Sequence, residues 1–150
     1  TNVMVSSRGR AKLVDFGFAR RGPRAETVVG TLHTMAPEVI CCAVSKWKLG
    51  HETGAGSYGS AADWWSLGVL LFEMLAGFPP FGEHDDVALE GQQVLEKQAA
   101  FAKEGLAWPA SVSSDAKAAV SALLQVEPSL RLGATGLQQL QGHIFFAAAD

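Results

Sequence analysis

Asp15 is the residue whose type and position point most directly to chemistry, because it ends a short apolar run in the stretch AKLVDFGFAR, residues 11–20. A carboxylate at the end of a strand offers an oxygen ligand to a hard cation such as Mg²⁺. Asp is also common in Asx turns, in which its side chain accepts a hydrogen bond from the backbone N–H two residues later. That residue here is Gly17. Taken alone, Asp15 leaves a metal ligand and a turn residue open as alternatives.

The element that must position Asp15 is a predicted β-hairpin. Residues 2–6 (NVMVS) and 11–14 (AKLV) are short and partly β-branched, and Gly9 between them suits a turn. Asn2 precedes Asp15 by thirteen residues. The hairpin therefore allows the side chains of Asn2 and Asp15 to face one site.

A long irregular loop is predicted after the hairpin. Residues 15–36 contain three glycines and a proline and show little periodicity. A loop of this length inside a compact domain usually has a function.

The rest of the chain is predicted to be mainly helical. Pro37 suits the first position of a helix, which we expect to end near Ala43. In DWWSLGVLLFEMLAG, Asp63 is a predicted N-cap and Gly77 a stop signal, and the helix between them is apolar nearly all round, which predicts a central, buried position. Further helical patterns cover residues 86–104, 114–125 and 136–142, and Ser113 or Ser114 is the expected N-cap of the helix over 114–125. The Gly- and Ser-rich composition of residues about 46–60 predicts a flexible surface insertion. The predicted fold class is mainly α with a small β-hairpin.

Composition narrows the classes of function. The chain has 150 residues with 48% hydrophobic side chains and a net charge of −3, so it presents no basic surface for nucleic acid or an anionic membrane. Its longest apolar stretch is interrupted by Glu73 and is too short to span a bilayer. The adjacent Cys41 and Cys42 indicate buried thiols in a reducing, intracellular and cytoplasmic compartment. Because the first residue is Thr1 and not Met, we expect the chain to be a piece of a longer protein.

Four motifs, in order, resemble the C-terminal lobe of a eukaryotic protein kinase. They are DFG, MAPEV twenty residues later, DWWSLGVLLFEMLAGFPPF, and RLG followed by HIFF. The resemblance extends from Asn2 to Phe146 and is closest to the AGC group, notably the cyclic-nucleotide-dependent kinases. It implies the large lobe of the kinase fold, incomplete at its N-terminus, and phosphoryl transfer from MgATP to Ser or Thr of protein substrates.

The resemblance also implies roles for residues near the hairpin. Asp15 matches the primary ligand of the Mg²⁺ that accompanies ATP, and Asn2 matches, by its spacing, the catalytic-loop Asn that also binds this metal. Thr31 matches the threonine that helps to position the substrate against the catalytic base.

The loop that follows resembles an activation segment. Thr27 stands where related kinases carry an activating phosphothreonine, modified by an upstream kinase or by autophosphorylation, and Arg20 matches a basic residue that contacts this phosphate. Glu73 matches an acid that binds substrate arginines. His33 and Thr1 replace other such acids, so the implied preference for basic residues before the phosphoacceptor is weakened.

Three further matches are structural. Glu38 and Arg131 would form a buried bidentate ion pair, and Asp63 would cap its helix and anchor the catalytic loop. The implied organisation is a magnesium-binding loop and activation segment over 1–38, the insertion at about 46–60 and a helical subdomain over 61–146.

Two departures limit the expected activity. Thr34 stands where most relatives carry an aromatic residue, and nothing in the chain matches the Gly-rich loop, the phosphate-binding Lys, its partner Glu or the catalytic Asp. We therefore expect the isolated chain to be inactive and poorly soluble, and the longer parent protein to be an active kinase. The alternative is a pseudokinase whose helical lobe serves as a non-catalytic binding module.

Overall fold

The fold was obtained as a computed structural model that describes residues 2–49, 56–82 and 91–147, with the backbone alone described for residues 45–49. A two-stranded sheet comes first and is followed by helices. The helices are α1 (Pro37–Leu49), α2 (Ala61–Ala76), α3 (Gly91–Glu104), α4 (Ser114–Leu123), α5 (Gln138–Gln141) and α6 (Ile144–Ala147), with 3-10 turns at Leu32–Thr34 and Pro128–Leu130. The predicted fold class is thus confirmed. No helix in the described ranges has the length and hydropathy needed to cross a bilayer.

The hairpin lies where the sequence predicts it. Strand β1 (Val3–Val5) pairs antiparallel with β2 (Ala11–Leu13), and Val3 lies opposite Leu13. Gly9 has a φ of 75° and donates its N–H to the Ser6 carbonyl, which closes the turn. Both strands are exposed along their whole length.

The ends of several helices differ from the prediction. Helix α1 continues to Leu49 and not to Ala43, because the sequence contains no proline or glycine between Pro37 and Gly50. Helix α4 begins as expected, with the Ser113 hydroxyl accepting a hydrogen bond from the Ala116 N–H. The helix predicted over 136–142 is shorter in the structure, where it is α5, and the short helix α6 was not predicted. Of the helix predicted over 86–104, residues 86–90 lie outside the part of the chain that the structure describes.

Helix α2 is the centre of the core. One stripe of its surface, containing Trp65, Val69 and Phe72, is almost fully buried against residues of the other long helices. Trp65 stacks on Phe81 with ring centroids 5.5 Å apart. The prediction that α2 is buried all round is wrong in one respect, because Met74 on the opposite side is 72% exposed. Helix α2 therefore has an apolar side chain that the described part of the chain leaves exposed to solvent.

Helices α2 and α4 pack closely against each other at Gly68. A Cβ built on Gly68 of α2 would lie 2.9 Å from side-chain atoms of Leu123 and Leu124, which is shorter than real carbon contacts. Gly68 is therefore required by the distance between the two helices and not by its backbone conformation.

We expect Gly68→Ala to lower the free energy of unfolding by about 1–2 kcal/mol. The added methyl group forces the two helices apart, at a cost of roughly 1–3 kcal/mol, while the better helix propensity of Ala returns up to about 1 kcal/mol. Urea unfolding followed by circular dichroism measures the difference. Met74→Ala, on the exposed side of the same helix, is the matched control and should change the stability by only about 0.5 kcal/mol. A stability gain in Gly68→Ala would contradict the packing described.

Candidate active site

Asp15 lies in an exposed, unusual backbone conformation directly after the hairpin. Its φ of 62° is in the left-handed region, which non-glycine residues rarely occupy. Its Oδ1 atom accepts a hydrogen bond of 3.0 Å from the Gly17 N–H, so the Asx turn allowed by the sequence is formed. Among the described residues nothing donates to Oδ2. The turn therefore orients the carboxylate without using both of its oxygens.

Asn2 lies opposite Val14, the residue that precedes Asp15. The Asn2 carbonyl accepts a hydrogen bond of 2.9 Å from the Val14 N–H, which extends the hairpin pairing by one residue beyond Val3 and Leu13. Both Asn2 and Asp15 are exposed. The structure thus places these two predicted site residues at the same end of the hairpin.

The chemistry of this pair suits Mg²⁺ shared with a substrate. In the ranges that the structure describes, no group of three His, Cys, Asp or Glu side chains could hold a metal ion alone. Magnesium does not need such a cage, because it is usually held by one or two protein oxygens together with phosphate oxygens and water. An exposed carboxylate and an exposed side-chain amide at one end of the hairpin are ligand types that meet that requirement.

A second part of the site is the 3-10 turn at Leu32–Thr34. The Thr31 carbonyl accepts hydrogen bonds from the Thr34 N–H at 3.0 Å and from the Thr34 hydroxyl at 2.8 Å. Thr31 itself is exposed, and its side chain makes no capping hydrogen bond to the turn. The unusual Thr34 therefore has a structural role in locking the backbone of Thr31.

Two helices hold this turn in place through residues that the sequence analysis did not single out. The Ser66 hydroxyl on α2 donates to the Thr34 carbonyl at 2.9 Å, and the Gln98 side-chain amide on α3 donates to the Met35 carbonyl at 2.9 Å. Gln98 is 1% exposed. A signal was available for Gln98, because it follows Val94 by four residues and so occupies the core-facing side of α3. A polar residue at such a position generally has a buried partner.

The predicted ion pair between Glu38 and Arg131 is formed. Arg131 Nη1 lies 2.8 Å from Glu38 Oε1, and Arg131 Nη2 lies 3.1 Å from Glu38 Oε2, so the contact is bidentate. The other donors of the buried guanidinium reach the backbone carbonyls of Ala61, Gln125 and Val126. All five N–H groups of Arg131 are therefore satisfied. Its central carbon also lies 5.3 Å above the Trp65 ring.

Asp63 is not the N-cap of its helix, contrary to the prediction. Helix α2 begins three residues earlier, with Ser60 in the capping position and Asp63 in the first turn, because the backbone N–H groups of Ala62 and Asp63 already bond to the carbonyls of Gly59 and Ser60. Surrounding protein removes part of the hydration of the carboxyl group and raises the pKa of Asp63. No described residue donates a hydrogen bond to this carboxyl, so its predicted anchoring role stays a prediction.

Thr27 is exposed within the long loop, as a modification site must be. Arg20 is exposed as well, but the described residues include no hydrogen bond between Arg20 and Thr27. It is Arg24 that makes a long-range contact, donating through Nη1 to the carbonyl and hydroxyl oxygens of Ser57, each at 3.1 Å. Glu73 is half-buried on α2, seven residues after Ser66, and therefore on the same face of the helix and roughly 10 Å along it.

The predicted surface insertion at about 46–60 is corrected at both ends. Residues 46–49 belong to α1, and Tyr58 forms an antiparallel bridge with Ala25 of the loop. Residues 50–55 lie outside the described part of the chain. Tyr58 is ordered because its partly buried side chain packs against the core, which a prediction from glycine content does not detect.

The sequence profile of the protein kinase domain matches residues 1–146. A probable serine/threonine-protein kinase and the catalytic subunit of a cAMP-dependent protein kinase, both from Dictyostelium discoideum, are each 36% identical over 97% of this chain. Ribosomal protein S6 kinase alpha-6 from Homo sapiens is 33% identical over 99% of the chain. The chain spans 28%, 20% and 18% of the lengths of these three relatives.

We expect Arg131→Met to lower the free energy of unfolding by about 3–5 kcal/mol, because it leaves the Glu38 carboxylate partly buried without its partner. The double variant Glu38→Leu with Arg131→Met should recover part of this loss, since it removes both charges. Chemical denaturation of the three proteins measures both effects. Arg8→Met, at an exposed position of the hairpin turn, is the control, and a loss below about 1 kcal/mol for Arg131→Met would contradict the role assigned to the pair.

Asp63→Asn should make the folded state slightly more stable at neutral pH, by less than about 1 kcal/mol because the carboxyl keeps contact with solvent. A raised folded-state pKa means that the folded chain binds this proton more tightly than the unfolded chain does. The resulting stabilisation is complete below the unfolded pKa and is lost as the pH rises through the folded pKa. The difference between variant and wild type should therefore shrink as the pH falls towards 4, near the ordinary Asp value. Thermal unfolding at several pH values tests this, and a gain that does not depend on pH would refute it.

Proposed function

Because the chain belongs to the protein kinase family and its relatives are kinases of the AGC group, we propose that it forms part of an enzyme that transfers phosphate from MgATP to serine or threonine of proteins. The observation that supports this most directly is the placement of Asn2 and Asp15 at one end of the hairpin. A non-catalytic binding module has no need of a carboxylate held in a strained, exposed conformation beside an amide.

In this proposal the hairpin end holds the metal. Asp15 and Asn2 would supply oxygens from the two sides of this hairpin end, and the Asx turn to Gly17 orients the carboxylate. Bound Mg²⁺ supplies positive charge that neutralises the phosphate oxygens during transfer. Strain at Asp15 is consistent with such a role, because left-handed non-glycine residues are concentrated at functional sites.

The turn at Leu32–Thr34 is the proposed place for the substrate hydroxyl. Thr31 is exposed and its carbonyl is locked by Thr34, so the Thr31 hydroxyl is free of a capping role and available to a bound side chain. Glu73 is the proposed acid for a substrate arginine. His33, which replaces another such acid in the resemblance, is buried. In this proposal the preference for basic substrates is reduced, because His33 and Thr1 stand where relatives carry acids.

Thr27 is the proposed site of activating phosphorylation, by an upstream kinase or by the enzyme itself. Its exposure and its position in the long loop support this assignment. A phosphate there would lie within one segment that also carries Arg20, Arg21 and Arg24, and charge-assisted hydrogen bonds to arginine are the usual way in which such a phosphate orders a loop.

The isolated chain is proposed to be inactive and to need further protein around the hairpin. Val5, Leu13, Phe16 and Phe18, on the hairpin or directly after it, are each at least 68% exposed. Large apolar side chains that are exposed together in this way usually contact other protein. The cysteines support an intracellular location, since neither Cys41 nor Cys42 is in a disulfide, although Cys41 is exposed and not buried as predicted.

Two substitutions at Asp15 separate its two roles in the full-length protein that contains this chain. Asn preserves the Asx turn and tolerates a positive φ, but it removes the charge that holds Mg²⁺. We expect Asp15→Asn to lower kcat for MgATP-dependent peptide phosphorylation by about 100-fold or more, with little change in thermal stability. Asp15→Ala should lose both activity and some stability.

Asp115→Ala, an exposed carboxylate in the first turn of α4, is the control and should retain activity within about twofold. Full activity of Asp15→Asn would mean that Asp15 is only a turn residue. Absence of magnesium-dependent phosphorylation by the wild-type protein would favour the binding-module alternative, and activity of residues 1–150 alone would contradict the proposed need for further protein.

A further inference from the structure

Ser57 and Tyr58 bind the middle of the long loop through Arg24, Ala25 and Thr27. These five residues are called the clamp. The Ala25 N–H donates to the Tyr58 carbonyl at 2.8 Å and the Tyr58 N–H donates to the Ala25 carbonyl at 2.9 Å. The Tyr58 hydroxyl donates to the Thr27 carbonyl at 2.5 Å. With the two bonds from Arg24 to Ser57, five hydrogen bonds join segments that are 31–33 residues apart in sequence.

Tyr58 is the residue that connects this clamp to the body of the fold. Its side chain is partly buried and packs against the hydrophobic core, so the ring is held while the hydroxyl reaches the loop. Burial is the main cause that raises the pKa of Tyr58, with the charges of Cys42 and Asp63 acting in the same direction and Arg20 in the opposite one. The hydroxyl therefore stays protonated, and able to donate, throughout the physiological pH range.

The position of the clamp in the loop gives it a consequence for the site. Thr27 is four residues before Thr31, and four residues span at most about 14 Å. The Thr31 backbone is itself held by the turn that docks on Ser66 and Gln98. The chain between Thr27 and Thr31 is therefore fixed at both ends, and Thr27 stays exposed because its carbonyl, not its side chain, is the group that the clamp engages.

We propose that Tyr58 is a positioning residue, whose hydroxyl holds the Thr27 carbonyl so that Thr27 is presented for phosphorylation and Thr31 is kept in place for the protein substrate. This inference rests on the proposed function, in which the long loop is an activation segment. It assigns a role to a segment that sequence composition alone marks as a flexible insertion.

Tyr58→Phe is the test, because it removes the hydroxyl and keeps both the packed ring and the backbone bridge to Ala25. The matched control is Ser60→Ala, which removes a neighbouring hydroxyl that makes no capping hydrogen bond. Hydrogen exchange followed by mass spectrometry reports on residues 24–28 in the full-length protein. We expect exchange there to become about 3- to 10-fold faster in Tyr58→Phe, as is typical for the loss of one hydrogen bond, and to stay unchanged in Ser60→Ala.

Kinetics test the functional part of the proposal. In Tyr58→Phe we expect phosphorylation of Thr27 to slow by about 3- to 10-fold and the KM for a peptide substrate to rise by a similar factor, with the KM for ATP and the unfolding temperature close to wild type. A purely structural role would instead lower the unfolding temperature and affect both substrates. An active Tyr58→Phe enzyme with wild-type Thr27 phosphorylation and peptide KM overturns the inference, whatever its exchange rates.

The two proposals fail in different ways. If the wild-type protein phosphorylates no substrate, the proposed function fails, and hydrogen exchange alone decides whether Tyr58 holds the loop. Faster exchange confined to residues 24–28 then supports the clamp. Exchange in Tyr58→Phe equal to that in Ser60→Ala overturns it.

Discussion

The buried guanidinium of Arg131 is the interaction on which the rest of this structure depends. Removing a charge from water costs several kcal/mol unless its partners replace the lost hydration, and here one carboxylate and three backbone carbonyls do so. Those partners come from the start of α1, the start of α2 and the turn that follows α4. Arg131 can be satisfied only when these three parts of the chain meet in one arrangement.

The long loop that precedes Glu38 is held by further attachments along its length. Glu38 holds the end of the loop, Ser66 and Gln98 hold the turn before it, and Tyr58 holds its middle. Ordering each residue of a loop costs roughly 1–2 kcal/mol of conformational entropy, so a long segment without regular structure needs several attachments. Each attachment uses a backbone carbonyl of the loop or a charged pair, which leaves the side chains of Thr27 and Thr31 exposed.

The residues proposed to act on ATP and substrate are those that contribute least to stability. Asp15 occupies a strained conformation, Thr31 is exposed, and the hairpin beside Asp15 exposes its apolar side chains. In the core, by contrast, Gly68 is explained by close packing and the buried Arg131 by its hydrogen bonds. This division is expected of an active site, where function and not stability selects the residues.

By itself the sequence determined the elements that depend on neighbouring residues. The hairpin, the end of α2 at Gly77 in a left-handed conformation and the Ser113 cap of α4 follow from local turn and capping chemistry, and the order of the four motifs was sufficient to recognise a kinase-like chain. The resemblance also paired Glu38 with Arg131, although 93 residues separate them.

Only the tertiary structure decided the contacts of Gln98, Ser66 and Tyr58 and the start of α2 ahead of Asp63. Gln98 and Tyr58 meet partners that lie 63 and 31 residues away, and nothing in the local periodicity of either residue indicates which carbonyl it will reach. Asp63 has the residue type of an N-cap, but backbone hydrogen bonds to Gly59 and Ser60 start the helix earlier. Local patterns report which hydrogen bonds a residue can make, whereas the choice among distant partners is made when the helices pack and bury them.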